Sequence, residues 1–222
     1  MFNLIVKDIA IQKKTLLYTF LYTIFAPFAF FLMGQSDFSL YVLSPVAITY
    51  MFTTFAASFD EKNKSELVLN SLPLKRSDIV ISKYISTLVY AFIGFVYSIF
   101  IGFIGKATRL PMFTRSISLL DIIFVLTIVF IFASLFFPVY FKFGFIKTKL
   151  FDTMLLMLIV LLPSLAIQYA NESPNNIFVQ KFNYFINTTS SFTQNSLALI
   201  TGSIFFLISL MISIHIYNNK EF

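Results

Sequence analysis

Few residues in this chain have the chemistry to catalyse a reaction. His215 is the single histidine, and a lone imidazole cannot assemble a metal site. Cysteine is absent, which excludes disulfides, thiolate zinc sites and cysteine nucleophiles. Gly105-Lys106 comes nearest to a phosphate loop. Ala107 follows where Ser or Thr is required, however, and no glycine stands five residues earlier. An intramembrane protease would need paired Glu and His, or a Ser with a nearby base, at membrane depth. The ten acidic residues (Asp8, Asp37, Asp60, Glu61, Glu66, Asp78, Asp121, Asp152, Glu172 and Glu221) all fall in loops or at the edges of apolar runs. None is expected mid-span, which argues against proton or sodium coupling. The chain is therefore read as a non-enzyme, with no catalytic residue, bound cofactor or metal of its own.

The elements that carry these residues are apolar. The 222 residues are 58% hydrophobic and 12% charged, with 31 Phe, 11 Tyr and no Trp; mean hydropathy is +0.86. A soluble domain carries about 25% charged residues. A spanning helix needs about 20 mostly apolar residues, and six segments qualify: 15–34, 40–59, 85–105, 122–141, 153–169 and 197–217. The expected fold class is all-α, a six-span transmembrane bundle forming one domain over 1–222. The first run is too long for a signal-peptide core and lacks a small-x-small cleavage site, so it is read as a retained span.

Basic residues set the orientation. One side would hold Lys7, Lys13, Lys14, Lys62, Lys64, Lys75, Arg76, Lys83, Lys142, Lys147, Lys149 and Lys220. The other would hold Lys106, Arg109, Arg115 and Lys181. The positive-inside rule then places both termini in the cytoplasm. The net charge of +6 is spent on topology and anionic lipid rather than on nucleic acid. Residues 1–14 are expected to form an interfacial helix, with Phe2, Ile5, Val6 and Ile9 on one face and Asn3, Lys7 and Lys14 on another.

Within the spans, Gly94, Ser98 and Gly102 recur every four residues and suit close helix packing, as do Gly202, Ser209 and Ser213. Pro27, Pro45, Pro138 and Pro163 fall inside spans and remove helical hydrogen bonds. The 171–195 segment on the far side is expected to contain a short helix, with Phe178, Phe182, Phe185 and Ile186 at helical spacing. The longest cytoplasmic loop, 60–83, reads as an elbow. Ser65 is expected to cap a short helix, Glu66–Leu72, which Pro73 ends. Ser77 is expected to cap a second helix leading into the third span.

That loop carries a resemblance. Glu66, then Leu69-Asn70-Ser71-Leu72-Pro73-Leu74, Arg76, Ile79-Val80 and Ser82-Lys83-Tyr84 resemble the pattern "E…SLP…R…IV…KY" of ABC-2 type permeases. Pro138-Val139-Tyr140-Phe141-Lys142-Phe143-Gly144, with Lys147 and Lys149, is similar to the "PLYFKFG…K" segment of the same proteins. Among them the chain resembles the permeases of Gram-positive bacteria that export phenol-soluble modulins. The resemblance implies a multi-pass plasma-membrane permease fold of the type V exporter kind. It also implies pairing with a second copy or a homologous permease, and a separate cytoplasmic ABC ATPase that holds ATP and Mg. The coupling helix would contact that ATPase through Glu66, Leu69, Asn70, Leu72, Lys75 and Arg76. Lys142, Lys147 and Lys149 would form a second cytoplasmic contact. The implied function is export of amphipathic peptides or other amphipathic compounds by alternating access. The alternative is a non-transporting immunity or sensor protein against antimicrobial peptides.

Overall fold

The computed structural model describes residues 2–21, 38–107, 117–172 and 176–220. They are helical almost throughout, with no strand among the described residues. The order is α1 (Phe2–Ile11), α2 (Phe38–Lys62), α3 (Ser65–Ser71), α4 (Arg76–Ala107), α5 (Leu119–Phe143), α6 (Phe145–Glu172), α7 (Ile177–Thr188) and α8 (Ser191–Asn218). A 3-10 turn follows α1, and residues 16–21 are helical again.

Among the described residues four helices are long and apolar enough to cross a membrane: Tyr41–Lys62, Arg76–Ala107, Leu119–Phe143 and Ser191–Asn218. Most of the first expected span, Pro27 included, lies outside the described residues. The fifth expected span falls on α6, which runs 28 residues. At 1.5 Å per residue the 32 residues of α4 extend roughly 48 Å. That exceeds a hydrocarbon core of about 30 Å; the first turns of α4 pack beside α3, with Ile79 and Val80 buried with Leu69, at what is called here the elbow end.

Two helix pairs build the bundle, α5 with α8 in parallel, from Phe130–Phe206 to Phe141–Tyr217, and α2 with α4 antiparallel, from Tyr41–Gly102 to Asp60–Lys83. α4 also packs on α8 to join them. The core is aromatic. Phe132, Phe136, Phe137, Tyr140 and Phe141 of α5 are buried with Tyr84, Phe206 and Tyr217. Ring centroids lie 4.5 Å apart for Tyr84 and Phe137, 5.0 Å for Tyr84 and Phe206, and 5.3 Å for Phe141 and Tyr217. In lipid there is little hydrophobic drive between helices, so close packing and hydrogen bonds must supply the association. The Tyr84 hydroxyl sits 2.8 Å from both the Ser209 and Ser213 hydroxyls, and Ser209 donates to the Ser134 carbonyl at 2.8 Å. Interhelical bonds of this kind contribute about 0.6–2 kcal/mol each.

The small-residue stripes lie inside the subunit. A Cβ on Gly94 would stand 2.7 Å from the Pro45 Cα, and one on Gly102 would overlap the Tyr41 ring. Ser98 is buried between them and donates to the Gly94 carbonyl at 3.0 Å. Pro45 and Pro138 both lie inside their helices. At the opposite end of α5, Ser118 and Asp121 form a reciprocal capping box, with the Ser118 N–H 2.8 Å from the Asp121 carboxylate. α7 occupies the expected 171–195 segment; the side chains of Phe178, Phe182, Phe185 and Ile186 lie outside the described residues.

Candidate functional site

The segments singled out in the sequence converge at the elbow end. α2 ends at Lys62, and Lys64 turns the chain in a left-handed conformation (φ 50°) into α3. Ser65 therefore stands in the first turn of α3 rather than capping it, and Lys64 takes the cap position without a side-chain bond. Leu72 leaves the helix in extended conformation before Pro73, and α4 starts at Arg76, one residue ahead of Ser77. A residue preceding proline is pushed out of the helical region, which accounts for the break.

The chain's own C-terminal region holds α3 in place. Lys220 Nζ lies 2.9 and 3.1 Å from the two Glu66 carboxylate oxygens. Asn70 donates to the Tyr217 hydroxyl at 3.1 Å, and Arg76 donates to the carbonyls of Asn218 at 2.8 Å and Lys220 at 3.1 Å. Leu69 is buried in the core with Ile79 and Tyr84. Three polar positions of the elbow thus face inward, toward α8 and the residues after it. Its outward side presents Val68, Ser71, Leu72, Pro73 and Lys75, all exposed. Val68 had no assigned role in the sequence reading, although it lies one turn before Leu72 on the same face.

Both ends of the elbow are locked by a buried ion cluster. Lys83 of α4 donates to Asp60 at the end of α2 and, at 2.8 Å, to Asp8 of α1. Lys7 adds a bond to Asp60 at 2.9 Å and stands 3.4 Å from Asp8; Ser86 donates to Asp8 at 3.3 Å. Asp8, Asp60 and Lys83 are all buried. Two carboxylates and two ammonium groups balance, which is what such burial requires. The face of α1 turned to the bundle is Leu4, Asp8 and Gln12, whereas Val6 and Ile9 stay exposed. The expected apolar face therefore points away from the bundle. The inward face is set by an acid in a basic flank, on one helix face with Leu4 and Gln12.

The second cytoplasmic segment joins the same hub. Gly144 closes α5 at φ 78°, a conformation that favours glycine. Glu61 accepts from the backbone N–H groups of Phe145 and, at 3.1 Å, Ile146, so it caps the first turn of α6. A Cβ at position 144 would stand 3.1 Å from that carboxylate. Lys142, Lys147 and Lys149 are exposed around this joint. A cavity of about 260 Å³, lined by Asp60, Glu61, Glu66, Tyr140 and Lys220 among others, separates the joint from α3.

One acid departs from the sequence reading. Asp152 was expected at the edge of the fifth span. α6 starts at Phe145, which places Asp152 two turns into the helix, buried and bonded to the Tyr50 hydroxyl at 2.9 Å.

Long apolar helices packed side by side, with a short helix clamped at one end, define a multi-pass helical membrane protein. The model of the family described as ABC-2 family transporter protein matches residues 3–218, and the chain belongs to that family. No curated protein and no solved structure matches it. The chain is the membrane component of an ABC transporter.

Proposed function

We propose that the chain is the permease subunit of an ATP-driven exporter, with six spans and both termini in the cytoplasm of a bacterial cell. It works with a separate cytoplasmic ABC ATPase and a second permease copy or homologue. The observation that carries this reading is the elbow. α3 is clamped from inside by Glu66, Asn70 and Arg76 and is left apolar and basic on its outer side at Val68, Leu72 and Lys75. A seated ATPase pushing on that face would displace α3, and the displacement would reach the membrane by two routes. The Glu66–Lys220 and Asn70–Tyr217 contacts lead to α8, and the Asp60–Lys83 contact leads to α2 and α4. α4 is one continuous helix from Arg76, so a tilt at its base moves the whole span. Lys142, Lys147 and Lys149 flank the same surface and offer a second contact. Lys75 chiefly affects the rate and choice of association.

The cargo is proposed to be an amphipathic peptide, of the phenol-soluble modulin kind, or a similarly amphipathic compound, moved by alternating access. Phe-rich helix faces support this reading, with Phe92, Phe100, Phe103 and Phe205 exposed on α4 and α8. The test is a charge on the outer elbow face. Leu72→Asp should leave the protein inserted but remove ATP-driven transport. Unchanged transport would overturn the coupling role of α3.

A further inference from the structure

Among the described residues, the other buried carboxylates have an evident purpose. Asp8 and Asp60 are neutralised by Lys83 and Lys7, and Asp121 caps α5. Asp152 has neither arrangement. One of its oxygens accepts from Tyr50, the other has no hydrogen-bond partner, and none of the ion pairs found among the described residues includes it. It is 4% exposed.

Its depth follows from the helices. α6 is tied to Glu61 at the elbow end through Phe145 and Ile146. Asp152 lies seven residues beyond Phe145, about 10 Å further along at 1.5 Å per residue. Tyr50 stands eleven residues before Glu61 on antiparallel α2, so its phenol reaches Asp152 from the membrane interior. The surroundings are apolar and aromatic. Tyr50 packs edge-on against Phe132 at 5.4 Å, and Leu155, one turn on in α6, is buried. A carboxylate in such a place is costly unless a proton or a cation balances it.

Among the described residues α6 packs on α5, across the Gly144 joint, and on α2, and Phe151, Met154 and Leu158 are exposed beside Asp152. The carboxylate thus lies buried behind the α2–α6 seam, and a lipid-borne molecule must part that seam to reach it.

We infer that Asp152, oriented by Tyr50, is an intramembrane acceptor for the cationic end of an amphipathic ligand, a primary ammonium such as a lysine side chain. The free oxygen takes the ammonium, Tyr50 fixes the other, and the aromatic neighbours accommodate the adjoining alkyl stem. Describing that ligand as cargo rests on the exporter reading; the binding itself does not.

The test uses the full chain in phosphatidylcholine nanodiscs. The probes are a dansylated alkyl chain ending in a primary ammonium and its N-acetylated twin, followed by fluorescence titration. The wild type should prefer the ammonium by about tenfold or more, the range for one charge-assisted bond. Asp152→Asn keeps the Tyr50 bond and the shape; it should bind both probes alike, and Asp152→Glu should restore the preference. Equal binding by the wild type overturns the inference without any variant having to fold. Retention of the preference in Asp152→Asn overturns it as well. No ATPase is present, so failure here leaves the exporter reading standing, and loss of ATP-driven transport elsewhere leaves this site standing.

Discussion

Replacing Lys83 by Met keeps the length of the side chain and removes the charge that neutralises Asp8 and half neutralises Asp60. Among the described residues, Lys7 would then be the one cation left to both carboxylates, 2.9 Å from one and 3.4 Å from the other. One buried negative charge is left over. Stranding a charge by removing its partner costs about 3–5 kcal/mol, whereas replacing a whole buried pair by apolar groups is often close to neutral. The single variant should therefore lose about 3–5 kcal/mol. Lys83→Met combined with Asp8→Leu, which leaves the balanced Lys7–Asp60 pair, should recover at least about half of that loss. The assay is equilibrium unfolding in mixed detergent micelles, followed by circular dichroism. Proteolysis of the α1 segment provides a local readout: α1 should be released in the single variant and held less loosely in the double. A single-variant loss below about 1 kcal/mol, or an Asp8→Leu effect that adds to it, would refute the view of the cluster as a charge-balanced lock.

The remaining predictions concern packing and capping. Gly94→Ala puts a methyl 2.7 Å from the Pro45 Cα, where backbone must move. It should cost about 1–3 kcal/mol in the same unfolding assay. At Gly202 the nearest atoms are 3.6 Å away, and Gly202→Ala should be neutral or stabilising by up to about 1 kcal/mol; the reverse ranking would contradict the packing described. Glu61→Ala removes the acceptor at the first turn of α6. It should cost about 1–2 kcal/mol and speed amide exchange at residues 145–148, while unchanged exchange would contradict the cap.

Much of this architecture is legible from local signals. The apolar runs mark α2, α4, α5 and α8, Pro73 marks the break after α3, and Gly144 marks the joint before α6. The contacts that organise the elbow are not legible, because each pairs residues far apart in sequence. Glu66 finds Lys220, Asn70 finds Tyr217, and Asp8 finds Lys83 only once α8 and α1 fold back to the elbow. In sequence, Asp8 and Asp60 look like solvated flank residues, since burial of a charge depends on a distant counter-charge that no periodicity reveals. Asp152 is misplaced for a different reason. The helix starts at Phe145, eight residues before the apolar run becomes continuous, because Lys147 and Lys149 lower local hydropathy without interrupting the helix. The outward position of Val68 follows from Leu69 turning into the core, which places Val68 with Leu72 on the outer apolar face.

In the exporter proposed above, the outer face of α3 seats an ABC ATPase. The most direct measurement is affinity purification of the tagged chain from native membranes in mild detergent, with mass and stoichiometry of what accompanies it. The account predicts that the wild type retains an ABC ATPase at about one copy per permease and that Leu72→Asp, inserted at the same level, loses it. If the wild type carries no ATPase, or the Leu72→Asp variant carries as much, the elbow is not the docking site, and a non-transporting membrane protein becomes the better account of the chain.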